Sequence, residues 1–229
     1  MKFPPLIEAE FIHRPNRFTA GIRLVDGGVG RAYVPTTGRL TGVLVPGCRV
    51  WLEKAVRADR KTPYTLVLAE LGSGALCSVD AHLANRLFAE AVEEGHLSKF
   101  EADRVEAEVK IGRSRLDFKL RMGGQICWVE VKSVTYAAGG VAMFPDAPTA
   151  RGRRHLLELA RLVSGGDRAE AVFIVQRPDA QVFRPYAEID PEFAETLRKV
   201  HNTGVGVRTF RCAVSTESVE ILKEIPVEL

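Results

Sequence analysis

The chain has 229 residues, 46% hydrophobic and 27% charged, a composition that fits a folded globular protein and excludes a disordered one. No apolar run approaches the roughly 20 residues of a membrane-spanning helix. Met1 to Glu10 carry Glu8 and Glu10 where a signal peptide has its apolar centre, so a cytoplasmic protein without membrane contact is expected. The net charge of +3 is unevenly divided: residues 1–79 hold 11 Lys/Arg against 6 Asp/Glu, residues 80–229 hold 21 against 23, and the basic first part suggests a polyanionic partner.

In chain order, residues 1–79 read as all-β. Ile7–His13, Phe18–Val25, Arg31–Val34, Arg49–Val56 and Tyr64–Leu71 are short runs rich in branched and aromatic residues. Turn signals at Pro15-Asn16, Gly27-Gly28, Gly38, Pro46-Gly47 and Pro63 separate them. Five such strands fit a small closed barrel of the oligonucleotide/oligosaccharide-binding (OB) type, with an SH3-like barrel as the alternative. Phe18, Tyr33, Trp51 and Tyr64 lie among Arg17, Arg23, Arg31, Arg39 and Arg49. Rings that stack on bases beside cations that meet phosphates make a nucleic-acid face, unless the rings fill the barrel.

From residue 80 the pattern changes. Asp80 is placed to cap a helix through Leu83, Leu87, Phe88 and Val92, closed by Gly95. Arg104–Ile111, Ser114–Arg121 and Gln125–Val131 alternate as strands. Thr149–Val163 is an amphipathic helix, Ala171–Val175 a buried strand, Pro191–His201 a helix and Gly206–Ala213 a last strand. Residues 80–229 are therefore expected as an α/β layered domain behind a barrel of residues 1–79. The cysteines, Cys48, Cys77, Cys127 and Cys212, have no metal-ligand spacing and are expected as buried thiols.

The sharpest chemical feature is Asp117 with Glu130 and Lys132. Gly123-Gly124 signals a two-residue hairpin turn, which sets Asp117 opposite Glu130 with Cβ atoms roughly 4.5–5.5 Å apart. Lys132 follows on the same face, and Leu116, Phe118 and Leu120 form the reverse, core face. Facing carboxylates repel unless a divalent cation lies between them, and carboxylate oxygens suit Mg²⁺ or Mn²⁺. Such a cation polarises a phosphate oxygen and acidifies a bound water, while the ammonium stabilises developing charge. An acid followed on the next strand by acid-x-lysine is the signature of PD-(D/E)XK nucleases. A second Glu-Val-Lys at Glu108 to Lys110 faces no acid across a hairpin. A surface cluster in which Lys132 merely bridges the two acids is the competing reading. Further on, Arg151, Arg153 and Arg154 crowd a helix start, where cations oppose the dipole unless a phosphate binds there. His82, His155 and His201 are isolated and are expected to be structural.

Val34-Pro35-Thr36-Thr37-Gly38-Arg39-Leu40, Ser114-Arg115-Leu116-Asp117-Phe118, Glu130-Val131-Lys132-Ser133-Val134-Thr135 and Phe144-Pro145-Asp146-Ala147-Pro148-Thr149-Ala150-Arg151-Gly152 resemble the sugar fermentation stimulation protein A family, nearly end to end. The resemblance implies an OB-like first domain, a restriction-endonuclease-like second domain and DNA binding without marked sequence preference. It makes Asp117, Glu130 and Lys132 the metal-site residues and Glu90 a candidate further ligand. Thr36 departs from the family's usual Pro-Asn-Thr-Gly, though its hydroxyl can still bond a phosphate.

The leading expectation is a Mg²⁺- or Mn²⁺-dependent nuclease with catalytic Asp117, Glu130 and Lys132. Metal ligands would be Asp117, Glu130 and Glu90, and phosphate contacts Thr36, Arg39, Arg115, Arg151, Arg153 and Arg154. DNA is the expected partner; a homodimer is left open. The alternative is a non-catalytic DNA-binding accessory or regulatory protein linked to sugar metabolism. A sugar-converting enzyme is disfavoured, since there is no nucleotide-cradling glycine loop and no clear glycosidase carboxylate pair.

Overall fold

Branched and aromatic residues at period two build the first part. The computed structural model describes residues 1–55, 62–112 and 114–229; Val56, the expected end of the fourth strand, lies outside the described residues. Strands β1 (Ile7–Asn16), β2 (Thr19–Leu24), β3 (Val29–Tyr33), β4 (Arg49–Lys54) and β5 (Tyr64–Glu70) match the five expected runs. β1 pairs antiparallel with both β2 and β4. Parallel pairing of β3 with β5, Ala32 to Tyr64 and Tyr33 to Thr65, closes the sheet into an OB barrel. Phe11, Ile22, Val50, Leu52 and Leu66 fill it. A three-residue strand, β6 (Leu76–Ser78), adds to β5 and leads into the second part, where Ser78 N–H donates to Gln176 O at 3.0 Å.

The second part is a six-stranded sheet in the order β15-β14-β12-β9-β8-β7. Its strands are β7 (Arg104–Ile111), β8 (Ser114–Met122), β9 (Gln125–Val134), β12 (Arg168–Val175), β14 (Gly206–Val214) and β15 (Val219–Ile225). The central trio β9, β12 and β14 is parallel. Helix α1 (Leu83–Glu93) and Phe100 cover one face, packing on Phe118, Leu120, Val129, Val131 and Phe210. Helices α2 (Ala150–Ser164) and α3 (Pro191–Asn202) cover the other, packing on Leu116, Trp128, Phe173 and Val175. A small sheet of β10 (Ala137–Ala138), β11 (Val141–Phe144) and β13 (Val182–Pro185) stands at one end.

Two local expectations are corrected. Asp80 does not cap α1: its Oδ1 accepts the His82 N–H at 2.8 Å, an Asx turn that precedes the helix, and the capping residue is His82. Leu116 does not share a face with Phe118 and Leu120 but belongs to the opposite core. The switch occurs where Glu108, on the paired strand, takes a positive φ of 57°. That twist sends Val105 to one core while Val109 and Ile111 pack on the other.

Gly206 on β14 lies against the buried carboxylate of Glu170, and a Cβ there would meet Glu170 Oε2 at 1.9 Å. Arg208 Nε, 3.2 Å from that oxygen, limits its retreat. Gly206→Ala is therefore expected to destabilise the fold by about 1–3 kcal/mol, the usual cost of overpacking. Equal denaturant midpoints for variant and parent would contradict this.

Candidate metal centre and nucleic-acid cleft

The hairpin that positions the acids forms as the sequence suggests. Gly123 and Gly124 have φ of 55° and 87°, both in the region that a two-residue type I′ turn requires. The β8–β9 ladder then runs from Met122 opposite Gln125 to Phe118 opposite Val129. Beyond Phe118 no further ladder pair forms between the described residues of the two strands, so Asp117 and Glu130 are not a regular cross-strand pair. Instead Asp117 Oδ2 accepts the Val131 N–H at 2.8 Å, and Oδ1 accepts from Asn85 Nδ2 of α1 at 2.9 Å.

Glu130 is 2% exposed. Its Oε1 receives both Lys132 Nζ and His155 Nδ1, while Oε2 is buried with no hydrogen-bond partner among the described residues. Burial pushes the Glu130 carboxyl up, but Lys132 and His155 outweigh that and hold it below the usual range. Burial and the charge of Glu130 push Asp117 the other way, above its usual value, against the opposing pull of Lys132. Two neighbouring carboxylates are thus driven apart in acidity, His155 adding to the pull of Lys132 on Glu130 while burial and Glu130 prevail at Asp117.

His155 is a correction: it is buried in this cluster rather than isolated, and Arg151 Nε lies 3.5 Å from its Nε2. Gly152, His155, Leu156 and Leu159 form the buried stripe of α2, and a histidine inside an apolar stripe was the available signal. Glu90 is also corrected. It binds the Met1 amino group at 3.1 Å, and the α1 side chain that reaches Asp117 is Asn85.

Between the barrel and the second part lies a cavity of about 880 Å³. The barrel contributes Arg14, Arg17, Thr36 and Arg39; the second part contributes Lys132, Tyr136 and Arg151. Arg14 holds the barrel lip, donating to the carbonyls of Gly38 at 2.7 Å and Arg39 at 2.8 Å. Thr36 Oγ1 accepts the Gly38 N–H at 3.2 Å. Of the expected phosphate contacts, Thr36, Arg39 and Arg151 line the cavity and three do not. Arg115 pairs with Glu108 at 2.7 Å. Arg153 is held by both oxygens of Asp190 at 2.9 Å and by Glu192. Arg154 is exposed on α2, outside the lining. Asp190 also accepts the Thr149 N–H at 2.7 Å, so a carboxylate occupies the α2 start where a phosphate was expected.

The barrel's mixture of rings and cations is likewise thinner than its sequence suggests. Trp51 is buried at the seam with the second part, and Tyr64 packs on the barrel core. Arg49 and Arg23 are tied to Glu70 and Glu10. Phe18 is exposed. Cys77, Cys127 and Cys212 are buried free thiols as expected, pushed up to about 12 by burial; Cys48 is free and half-buried. Among the described residues no helix is long and apolar enough to cross a membrane.

Known proteins share this architecture. A family model described as the SfsA N-terminal OB domain matches residues 12–79, and one described as the sugar fermentation stimulation protein RE domain matches residues 82–218. A sugar fermentation stimulation protein homolog of Moorella thermoacetica is 47% identical over 227 residues, 98% of this chain and 97% of the relative. Another, from Maricaulis maris, is 44% identical over 234 residues, covering 100% of this chain and 99% of its own. The structure of Pyrococcus furiosus SfsA in complex with Ca²⁺ is 33% identical, with a TM-score of 0.91, and covers 100% of this chain and 98% of that one. The chain belongs to the sugar fermentation stimulation protein A (SfsA) family.

Proposed function

We propose that this protein binds DNA with little sequence preference and hydrolyses its phosphodiester bonds with Mg²⁺ or Mn²⁺ held at Asp117 and Glu130. The observation that carries the reading is the Glu130 carboxylate: one oxygen fixed by Lys132 and His155, the other buried without a partner among the described residues beside Asp117. The donor set fits the ion. No cluster of three or more acidic, histidine or cysteine ligands exists among the described residues. Mg²⁺ needs only one or two carboxylates, because it keeps several waters and takes substrate phosphate oxygens. A related protein was solved in complex with Ca²⁺, also a cation of oxygen ligands.

When bound, the metal supplies an acidified water and a polarised phosphate. This chain's own residues do the rest. Asp117 and Glu130 provide negative oxygens, His155 and Asn85 fix the orientation of those carboxylates, and Lys132 places a cation where the phosphate carries developing charge. The test is cutting of single-stranded, duplex and branched DNA by purified protein with each metal and with chelator. Cutting in chelator, or in neither metal, would remove the reading. The second reading, a DNA-binding accessory protein, is favoured by the ion pair that already neutralises Glu130 with Lys132. It predicts binding without cutting.

Binding itself has a separate expectation. Arg39→Ala with Arg151→Ala should weaken affinity for all DNA sequences alike and flatten its salt dependence by about two counterions. An unchanged salt slope between about 50 and 200 mM would count against phosphate contact by these side chains.

A further inference from the structure

Resting on the nucleic-acid reading above, we infer that the strand entering the cavity is single, and that Tyr136 is the platform on which one of its bases stacks. The cavity, about 880 Å³, has the size of clefts that enclose a small ligand, roughly 300–1,000 Å³. A duplex, whose major groove alone is about 12 Å wide and 8.5 Å deep, is too broad to be enclosed by such a space and can at most lie across its mouth. One or a few nucleotides do.

The cavity is also bridged. Leu40 N–H donates to Asp146 Oδ2 at 3.0 Å, joining the barrel lip to the segment that follows β11. The approach is so close that a Cβ on Gly38 would lie 2.7 Å from the same oxygen. The two walls of the cavity therefore touch at Leu40 and Asp146, which narrows what can lie between them. Lys132 lines the cavity and pairs with Glu130, so a strand held there meets the lysine of the candidate metal centre.

Tyr136 stands in the wall just beyond Lys132 on the same chain segment. Tyr186 backs it, with ring centroids 4.9 Å apart, planes 16° from parallel and hydroxyls 3.3 Å apart. A ring held flat from behind presents its other face with little ordering left to do. Stacking of this kind tolerates any base and requires that the base be unpaired. The barrel side agrees: its β1–β2 turn, the part that contacts oligonucleotides in OB barrels, supplies Arg17 to the lining.

The experiment is fluorescence anisotropy with a labelled 12-nucleotide single strand and a blunt duplex of the same sequence, with Ca²⁺ replacing Mg²⁺. The single strand should bind at least about tenfold tighter. Tyr136→Leu should lower single-strand affinity about tenfold, the scale of one lost base–aromatic stack, and leave duplex affinity unchanged. Tyr136→Phe keeps the ring and should keep the affinity, which separates stacking from a folding defect. Equal or tighter duplex binding overturns the inference. So does single-strand affinity that is the same for Tyr136→Leu and Tyr136→Phe. If neither nucleic acid binds, the nucleic-acid reading itself fails, and this inference with it.

Discussion

Glu130→Gln should abolish cutting and reduce Mn²⁺ affinity by at least about a hundredfold, more than the 10–100-fold usual for loss of a residue behind a ligand. Glutamine keeps the shape of the side chain but brings no charge to the cation. Asp117→Asn should do the same to metal and cutting, yet cost the metal-free fold nothing. The Asp117 carboxyl is raised by burial and by Glu130, so its charged form is disfavoured where it sits. An amide oxygen can still accept the Val131 N–H, and its NH2 can donate to Asn85 once the Asn85 amide turns to present its oxygen in place of Nδ2. The variant should therefore unfold at the same temperature as the parent or a higher one, the usual exchange of stability for function at a charged site. Calorimetric titration with Mn²⁺ beside a thermal melt reads both effects. Glu130→Gln that binds Mn²⁺ as the parent does would refute the assignment. Glu108→Gln serves as control: that carboxylate pairs with Arg115 on the surface, and its loss should leave metal affinity and cutting unchanged.

Lys132→Ala should separate binding from chemistry. Metal should still bind, while the cutting rate falls by about 10²–10³, the scale of removing one group that stabilises charge in the transition state. The metal-free protein should also lose stability. Removing one partner of a buried pair costs about 3–5 kcal/mol, and the lower end applies because His155 remains on the same oxygen. Mn²⁺ should recover much of that loss, since the cation takes over the neutralising role. A Lys132→Ala protein as stable without metal as the parent would mean that the ion pair is incidental. The expectation for cutting fails if the variant cuts at the parent's rate.

Much of this fold was legible because its signals were long or chemically specific. The five barrel strands, helices α1 to α3 and the Gly123-Gly124 turn each rest on a period or a backbone requirement that few residues satisfy. The strands that escaped are short or lie at edges. β6, β10, β11 and β13 have two to four residues, too few for a period, and β13 ends in Pro185. β15 is an edge strand with four exposed residues in seven, Glu220, Leu222, Lys223 and Glu224, so no clean alternation marks it. At the site, the three motif residues came together, but ideal hairpin arithmetic could not foresee the ladder opening at Asp117. The same stretch of β8 faces Glu108 on β7, whose positive φ at a non-glycine residue no pattern announces. His155, Asn85 and Tyr136 come from outside the motif strands' facing positions, and only tertiary packing brings them in. Arg115 and Arg153 illustrate the converse: charge is visible in a sequence, but the partner that neutralises it is not.

The seam marked by Trp51 bears on how such a protein can be recombined. Trp51, Val67 and Leu68 of the barrel share one apolar cluster with Phe3 and Leu6 before it and with Val214 of β14. Residues 1–79 transplanted alone from one relative into another would bring this cluster against a foreign residue at position 214. The mismatch would be one of volume, felt at the level of a methylene in a close-packed interior. Working chimeras should therefore be those that exchange residue 214 along with residues 1–79. Those cut at residue 79 alone should express as sticky, poorly soluble chains.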